Sequence, residues 1–343
     1  MLTIYSDKHR LRNVRTELSG GQLISPHECP ERAQFVLDRV RQVGLGEVIG
    51  PQTFGLEPVL RVHDQGFVEF LASAWREWAA EGHQGEAIPD CWPARRMMQR
   101  VPESITGKLG YYAFAGETSI GEGSWEAACA AADVALTGAQ RLGAGAPGAF
   151  ALCRPPGHHA ARDLFAGYCF LNNAAIAAQS LRDHGAARVA VLDVDFHHGN
   201  GTQDIFYERP DVLYASLHGD PAQAFPYFLG YADEAGHGPG EGFNLNLPMP
   251  RGTIFATWRA ALELALARIR AYGAEALVVS LGVDTFISDP ISFFRLESPD
   301  FTTYGRMIGE CGLPTLFVLE GGYAVAEIGI NTVNVLSGFE DVR

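Results

Sequence analysis

Short runs of β-branched and aliphatic residues alternate with amphipathic segments through the middle and C-terminal parts of the chain. The runs Ala149–Cys153, Arg188–Val194, Val212–Leu217, Ala276–Leu281 and Pro314–Leu319 are apolar at consecutive positions. That pattern predicts strands covered on both faces rather than half-exposed ones. Between them, Phe255, Trp258, Leu262, Ala265 and Ile269 recur at three- and four-residue spacing, which predicts a helix over Thr253–Tyr272 that Gly273 stops. Leu171–Asp183, Trp125–Arg141 and Asp300–Cys311 read the same way, the last with Asp300 as its N-cap. Alternation of this kind implies an α/β fold: a mostly parallel, doubly wound sheet with helices on both faces.

Neither an internal repeat nor a low-complexity linker interrupts the pattern, so residues 1–343 read as a single domain. One segment departs from it. Glu81–Gly110 carries Pro89, Cys91, Trp92, Pro93, Pro102, the Arg95–Arg96 pair and Met97–Met98 without periodicity. A loop this long in a compact domain is usually a lid, a binding segment or an interface. Trp92 and the two methionines are poor choices for a free surface, which favours an interface.

Charge narrows the partners. The chain has 26 Lys+Arg against 40 Asp+Glu, a formal net charge of −14, and a general nucleic-acid binder needs a basic face instead. The six cysteines share no C-x-x-C spacing, so neither a disulfide framework nor a zinc ribbon is expected. MLTIYSDKHRLR at the start puts charges where a signal peptide needs an apolar stretch. Gly167, Asn172, Asn173 and Gln179 spoil the uncharged segment Leu164–Leu181 as a membrane span. A soluble cytoplasmic protein, bound to neither membrane nor nucleic acid, is the expectation.

Chemistry gathers where the predicted strands end. Pro155-Pro156-Gly157-His158-His159, Asp193-Val194-Asp195-Phe196-His197-His198-Gly199-Asn200, Asp284 and Glu320-Gly321-Gly322-Tyr323 each follow a strand. Open parallel sheets bind ligands beyond the carboxyl ends of their strands, so four such clusters predict one site. Asp195 and His197 are separated by one residue and can point the same way. With Asp284 they would hold a tetrahedral Zn²⁺ and leave one position open, as catalysis requires. Such oxygen-rich ligation would also accept Fe²⁺ or Co²⁺. An isolated D-x-H is more often a buried hydrogen-bonded pair; the neighbouring clusters reverse that reading. A rigid Pro-Pro-Gly turn can aim His158 and His159 into one cavity, where imidazoles can move protons near neutral pH. Tyr323 on its glycine turn can donate to a developing oxyanion. His9, His83, His184 and His237 read as structural or exposed, and His198 and His218 lean structural. The G-x-G-x-x-G match at Gly143–Gly148 follows a helix and precedes a strand, the wrong order for a dinucleotide fingerprint.

RPPGHHA (Arg154–Ala160), GYCFLNN (Gly167–Asn173), LDVDFHHGNGTQ (Leu192–Gln203), GVDTFISDP (Gly282–Pro290) and EGGY (Glu320–Tyr323), with LRVHDQGFVEFL (Leu60–Leu71) before them, together resemble the zinc-dependent histone deacetylase family. The long Glu81–Gly110 insertion followed by LGYYAFAGET (Leu109–Thr118) looks most like that family's bacterial acetylpolyamine amidohydrolases. The resemblance implies the arginase–deacetylase fold and hydrolysis of an N-acetyl amide to acetate and free amine. It also implies Asp195, His197 and Asp284 as zinc ligands, His159 as general acid/base with His158 as its electrostatic partner, and Asp193 and Asn200 as the groups that orient the two histidines. Many lysine deacetylases of the family have Asp where this chain has Asn200. Gly167, Tyr168 and Phe225 match the family's substrate tunnel, the two aromatics as its walls. Asp193, Ser216 and Leu217 fall where the family often binds a structural potassium ion.

Glu117, just after the insertion, is a candidate to recognise the distal ammonium of a small cationic acetylated amine, and the insertion a candidate to pack against a second subunit in a homodimer. A protein acetyl-lysine deacetylase is the alternative on the same catalytic residues. A two-metal ureohydrolase on the same fold is excluded, because Gly199 and Phe286 stand where it would need further carboxylates.

Overall fold

Eight strands form one sheet in the computed structural model, which describes residues 1–95 and 98–343; Arg96 and Met97 of the insertion lie outside the described residues. In chain order the strands of the molecule are β1 Leu2–Ile4, β2 Glu17–Ser19, β3 Gln22–Ile24, β4 Val48–Ile49, β5 Gly148–Ala151, β6 Val189–Asp193, β7 Val212–Gly219, β8 Asn244–Met249, β9 Ala276–Leu281 and β10 Thr315–Leu319. The main sheet runs β4-β1-β5-β10-β9-β6-β7-β8, and β2 pairs with β3 as a separate hairpin. Every pairing in the main sheet is parallel.

The consecutive apolar runs are explained by two cores, one on each face. Along β6, Val189 and Val191 pack with Val134, Ala135, Ala174 and Ala178, from the helices Ser124–Gly143 and Asn173–Asp183. Ala190 and Leu192 point the other way, towards Trp258, Leu262, Phe301 and Leu336 of the helices Phe255–Tyr272, Ser298–Gly309 and Ile328–Glu340. A strand with both faces buried has no polar side to show. Gly273 ends the Phe255–Tyr272 helix in the left-handed conformation, φ 72°, as expected. Asp300 is not an N-cap. Glu297 caps that helix, and Asp300, three residues on, closes a capping box by accepting the Glu297 backbone N–H at 2.8 Å.

Edge strands escaped the apolar-run rule. β8 reads Asn-Leu-Asn-Leu-Pro-Met, with alternating faces and a proline, because it lies at the rim of the sheet. β1 and β4 are too short to carry a pattern. The irregular insertion is also shorter than it reads, since a helix covers Ile105–Tyr112. The glycine-rich Gly143–Gly148 segment joins a helix end to a strand start, which disposes of the dinucleotide reading. Among the described residues no helix is long and apolar enough to cross a membrane.

β5, β10, β9 and β6 are neighbours in the sheet, and their register aligns Ala151, Val318, Ser280 and Asp193 in one row at the carboxyl edge. The four polar clusters leave from those four adjacent strand ends.

Candidate active site

Asp195, His197 and Asp284 converge just past β6 and β9. Each offers a ligand-type atom within 4.8 Å of the others, and all three are buried. Nδ1 of His197 lies 3.2 Å from Asp195 Oδ1 and 2.9 Å from Asp284 Oδ2. Burial and the neighbouring Asp195 carboxylate push Asp284 above the usual carboxylate range. Two buried carboxylates facing one imidazole form a cation-seeking set, and the donor types and open side fit Zn²⁺. Backbone N–H groups fix the carboxylates: Gly321 donates to Asp195 Oδ2 at 2.8 Å, and Phe196 to Asp284 Oδ1 at 2.7 Å. Gly321 must be glycine, because a Cβ there would stand 2.5 Å from Asp195 Oδ2 and 2.6 Å from Asp284 Oδ2.

The two histidines stand side by side, with ring centroids 4.1 Å apart, but their partners differ. His158 Nδ1 meets Asp193 Oδ2 at 3.0 Å, and that carboxylate also accepts the Tyr214 hydroxyl at 3.1 Å. His159 Nδ1 meets the neutral Asn200 Oδ1 at 2.7 Å. Burial lowers both imidazoles, yet the Asp195 and Asp193 carboxylates overcome it at His158 and lift it to about 10. At His159 burial is reinforced by His158 and His197, which hold it well below the ordinary imidazole range. The two rings are thus pushed in opposite directions, His158 towards its protonated form and His159 towards its neutral one, a division of labour suited to proton transfer.

Tyr323 is held by groups that sequence reasoning did not single out. Asp289 Oδ2 accepts its backbone N–H at 2.7 Å. Arg32, from the helix Pro30–Val43, donates to Glu320 O at 2.6 Å and Gly322 O at 2.7 Å, and its guanidinium carbon lies 4.6 Å from the Tyr323 ring centroid. Burial pushes the phenol well above its ordinary range, so it remains a neutral donor. Glu320 Oε2 accepts the N–H groups of Gly157 and His158 at 2.6 and 3.1 Å, tying the histidine turn to the tyrosine turn. Asp289 and Glu320 lie inside motifs quoted above; nothing in the spacing of the chain marks Arg32.

A cavity of about 520 Å³ opens onto these groups, lined among others by Glu17, Glu117, His159, Gly167, Tyr168, His197, Phe225 and Tyr323. Phe225 stands edge-on to His159 at 5.0 Å, and Tyr168 lies 5.5 Å from Tyr323. Gly167 has φ 59°, and a Cβ there would meet the His159 ring at 2.2 Å, so the wall approaches the histidine only because this residue is glycine. Glu117 lines the cavity and is half-buried, which removes it from the solvated surface; its Oε1 accepts the Gly167 N–H and the Thr118 hydroxyl. Glu17, unnoticed in the sequence, accepts the Tyr168 hydroxyl at 2.8 Å.

Ser216 is the register partner of Asp193, with Leu217 next to it, so the three candidate potassium residues share one buried spot. His198 and His218 are structural: His198 bonds Gln203 at 3.0 Å and His218 the Gly230 carbonyl at 2.8 Å.

Residues 26–339 match the histone deacetylase domain. The chain is 60% identical over 343 residues to acetylpolyamine amidohydrolase 2 of Pseudomonas aeruginosa, covering all of both chains. It is 57% identical to the acetylpolyamine amidohydrolase of Mycoplana ramosa, covering 98% of this chain and 99% of that one. The crystal structure of acetylpolyamine aminohydrolase from Burkholderia pseudomallei superposes with a TM-score of 0.95 at 41% identity, over 100% of this chain and 99% of that one.

Proposed function

The chain belongs to the histone deacetylase family, and from that premise we propose that it is a metal-dependent amidohydrolase that removes acetyl groups from small acetylated polyamines, releasing acetate and free amine. Full-length identity of 60% to an acetylpolyamine amidohydrolase carries the substrate class. The meeting of His158, His159, Tyr323, Asp195, His197 and Asp284 at one sheet edge supports the reaction.

Asp195, His197 and Asp284 would hold Zn²⁺, the ion the family implies, with Fe²⁺ or Co²⁺ as substitutes. Bound there, it would polarise the acetyl carbonyl and make an attacking water more acidic. The chain's own groups do the rest. His159, with a neutral partner, takes the proton of the attacking water and returns it to the departing nitrogen. His158, held by Asp193, places positive charge beside the developing oxyanion. Tyr323 donates its hydroxyl to that oxygen from the opposite side. Tyr168 and Phe225 flank the methylene chain of the amine, and Glu117 meets its distal ammonium. Asp193, Ser216 and Leu217 would hold a structural K⁺ behind the site.

We assign all 343 residues to one domain, because a single sheet runs from β1 to β10 through every site-bearing strand. A homodimer through the 81–110 insertion is supported by apolar side chains left exposed on the insertion and next to it. Trp92 is 44% exposed, Met98 90% and Phe228 71%, and Arg95 reaches across to the Phe228 ring. The cysteines all stand unpaired, as a reducing cytoplasm would keep them.

The test compares rates on acetylputrescine, acetylcadaverine, acetylspermine and an acetyl-lysine peptide, with and without chelation. Small acetylated amines should be turned over fastest, chelation should abolish activity, and Zn²⁺ or Co²⁺ should restore it. Preference for the peptide would favour the protein-deacetylase reading, and full activity after chelation would remove the metal from the mechanism.

A further inference from the structure

Next to the Asp195–His197–Asp284 set, a second group of ligand-type side chains closes on one point. His158, Cys169 and Glu320 each bring an atom within 4.8 Å of the other two, the same separation the first set meets, and all three are buried. They come from three different turns: after β5, at Gly167–Cys169, and after β10. The Cys169 thiol donates to the Gly167 carbonyl at 3.2 Å, a bond an ion would replace, and the other two residues leave particular atoms free. His158 Nδ1 is on Asp193, so Nε2 is its available nitrogen. Glu320 Oε2 takes two backbone N–H groups. Glu320 Oε1, on a fully buried residue, has no hydrogen-bond partner among the described residues. Leaving a buried polar atom unpaired costs about 1–3 kcal/mol, more for a charged group, so a carboxylate oxygen in this position calls for a partner.

We propose that His158, Cys169 and Glu320 form a second, inhibitory site for a thiophilic divalent cation, Zn²⁺ or Cd²⁺, beside the catalytic centre. Thiolate plus carboxylate supply two negative charges, which neutralise a divalent ion in a place where an unpaired charge would be expensive. Sulfur and imidazole donors select Zn²⁺ or Cd²⁺ over Mg²⁺ or Ca²⁺. Ligands roughly 2.0–2.3 Å from a tetrahedral Zn²⁺ stand about 3.3–3.8 Å apart, so side chains already within 4.8 Å need only close slightly. Burial and the Glu320 carboxylate keep the Cys169 thiol protonated, and the incoming ion releases that proton and the Nε2 proton of His158 to solvent, two protons per ion bound. Occupation takes His158 Nε2 out of service, which makes the site inhibitory. That consequence alone rests on the function proposed above; the binding itself does not.

The experiment loads chelator-stripped full-length protein with Zn²⁺ by equilibrium dialysis and counts ions per chain by elemental analysis. Co²⁺ is titrated in parallel while the thiolate charge-transfer band is followed. Wild type should take up two Zn²⁺ per chain with excess metal. The cobalt band should grow only with the second equivalent, since the catalytic set contains no sulfur. Excess Zn²⁺ should then inhibit at least tenfold on an acetylated diamine. Cys169→Ser should stop at one ion, lose the band and resist inhibition relative to its own basal rate, and Glu320→Gln should weaken the second ion. Saturation of wild type at one ion overturns the proposal, as does a second ion or an undiminished inhibition retained in Cys169→Ser. Normal two-ion binding in a protein inactive on every acetylated amine would instead overturn the function and leave the site standing.

Discussion

Tyr323 reaches the cavity because two separate segments hold its backbone and ring: Asp289 on its N–H, and Arg32 on the Glu320 and Gly322 carbonyls and the ring face. Its hydroxyl is therefore placed before substrate arrives, the condition under which one donor contributes most to an oxyanion. Tyr323→Phe should lower kcat by roughly 10²–10³-fold with little change in KM; a near-normal kcat in steady-state assays would remove it from the chemistry. Glu117, on the proposed function, acts on binding instead. Glu117→Gln should raise KM for acetylated diamines more than for a neutral acetamide of similar length, and the gap should narrow in high salt. Equal effects on both substrates would make Glu117 a support for the Gly167 turn only. At this scale the residues that converge at the sheet edge were readable, because D-x-H, His-His and GGY stand at strand ends. The residues that aim them were not: Arg32 lies 288 positions from Glu320 in sequence and meets it only in the fold.

Between elements, the most demanding junction is the buried cluster around Glu28. Its carboxylate faces Arg154 at 2.7 Å, Arg32 at 3.1 Å and Arg12 at 3.4 Å, all with side chains at most 1% exposed. It thereby joins the first turns of the chain, the Pro30–Val43 helix and the start of the histidine turn. Burial alone would raise the Glu28 carboxyl; the three guanidiniums, Arg154 foremost, bring it down to about 2. A carboxyl depressed on folding stabilises the native state fully above its unfolded value near 4.5, and that contribution fades as pH falls from there towards 2. Glu28→Gln should cost roughly 3–5 kcal/mol, since it strands buried charges. In urea titrations the mutant's stability should vary less than wild type's between pH 4.5 and 2. An unchanged slope would assign acid sensitivity to other groups. None of this was visible beforehand, since Glu28 and its arginines sit in no periodic pattern. The central strands were visible, because β5, β6, β9 and β10 are buried on both faces; β8 was not, because its buried positions include Asn244 and Asn246, whose side-chain amides both donate to Gln203 Oε1.

Across the whole molecule, a net charge of −14 surrounds a cavity that carries Glu17 and Glu117, so a cationic amine is drawn to it at long range. Attraction alone does not select a free acetylated diamine over an acetyl-lysine, itself neutral, that sits in a basic protein segment. Selection needs a narrow approach, and the 81–110 segment stands where it can provide one. Trp92 lies over Gly116 beside Leu18 of the β2–β3 hairpin, which lines the cavity, and Arg95 reaches Phe228, next to Tyr227 of the cavity wall. Its outer side keeps Trp92 and Met98 in water, a cost of about 25 cal/mol per Å² of apolar surface that a second copy would relieve. Burying the pair in a dimer would bring the partner's bulk to the rim and leave room for a flexible chain but not for a folded surface. The double substitution Trp92→Ser with Met98→Ser should therefore shift the protein towards monomer in sedimentation velocity at micromolar concentration. Activity on an acetyl-lysine peptide should rise relative to that on acetylputrescine, because the catalytic groups are untouched and only the approach widens. A mutant that remains dimeric would place the interface elsewhere. A monomer with the wild-type substrate ratio would show that the cavity walls, Tyr168 and Phe225 among them, impose the selection without a second subunit.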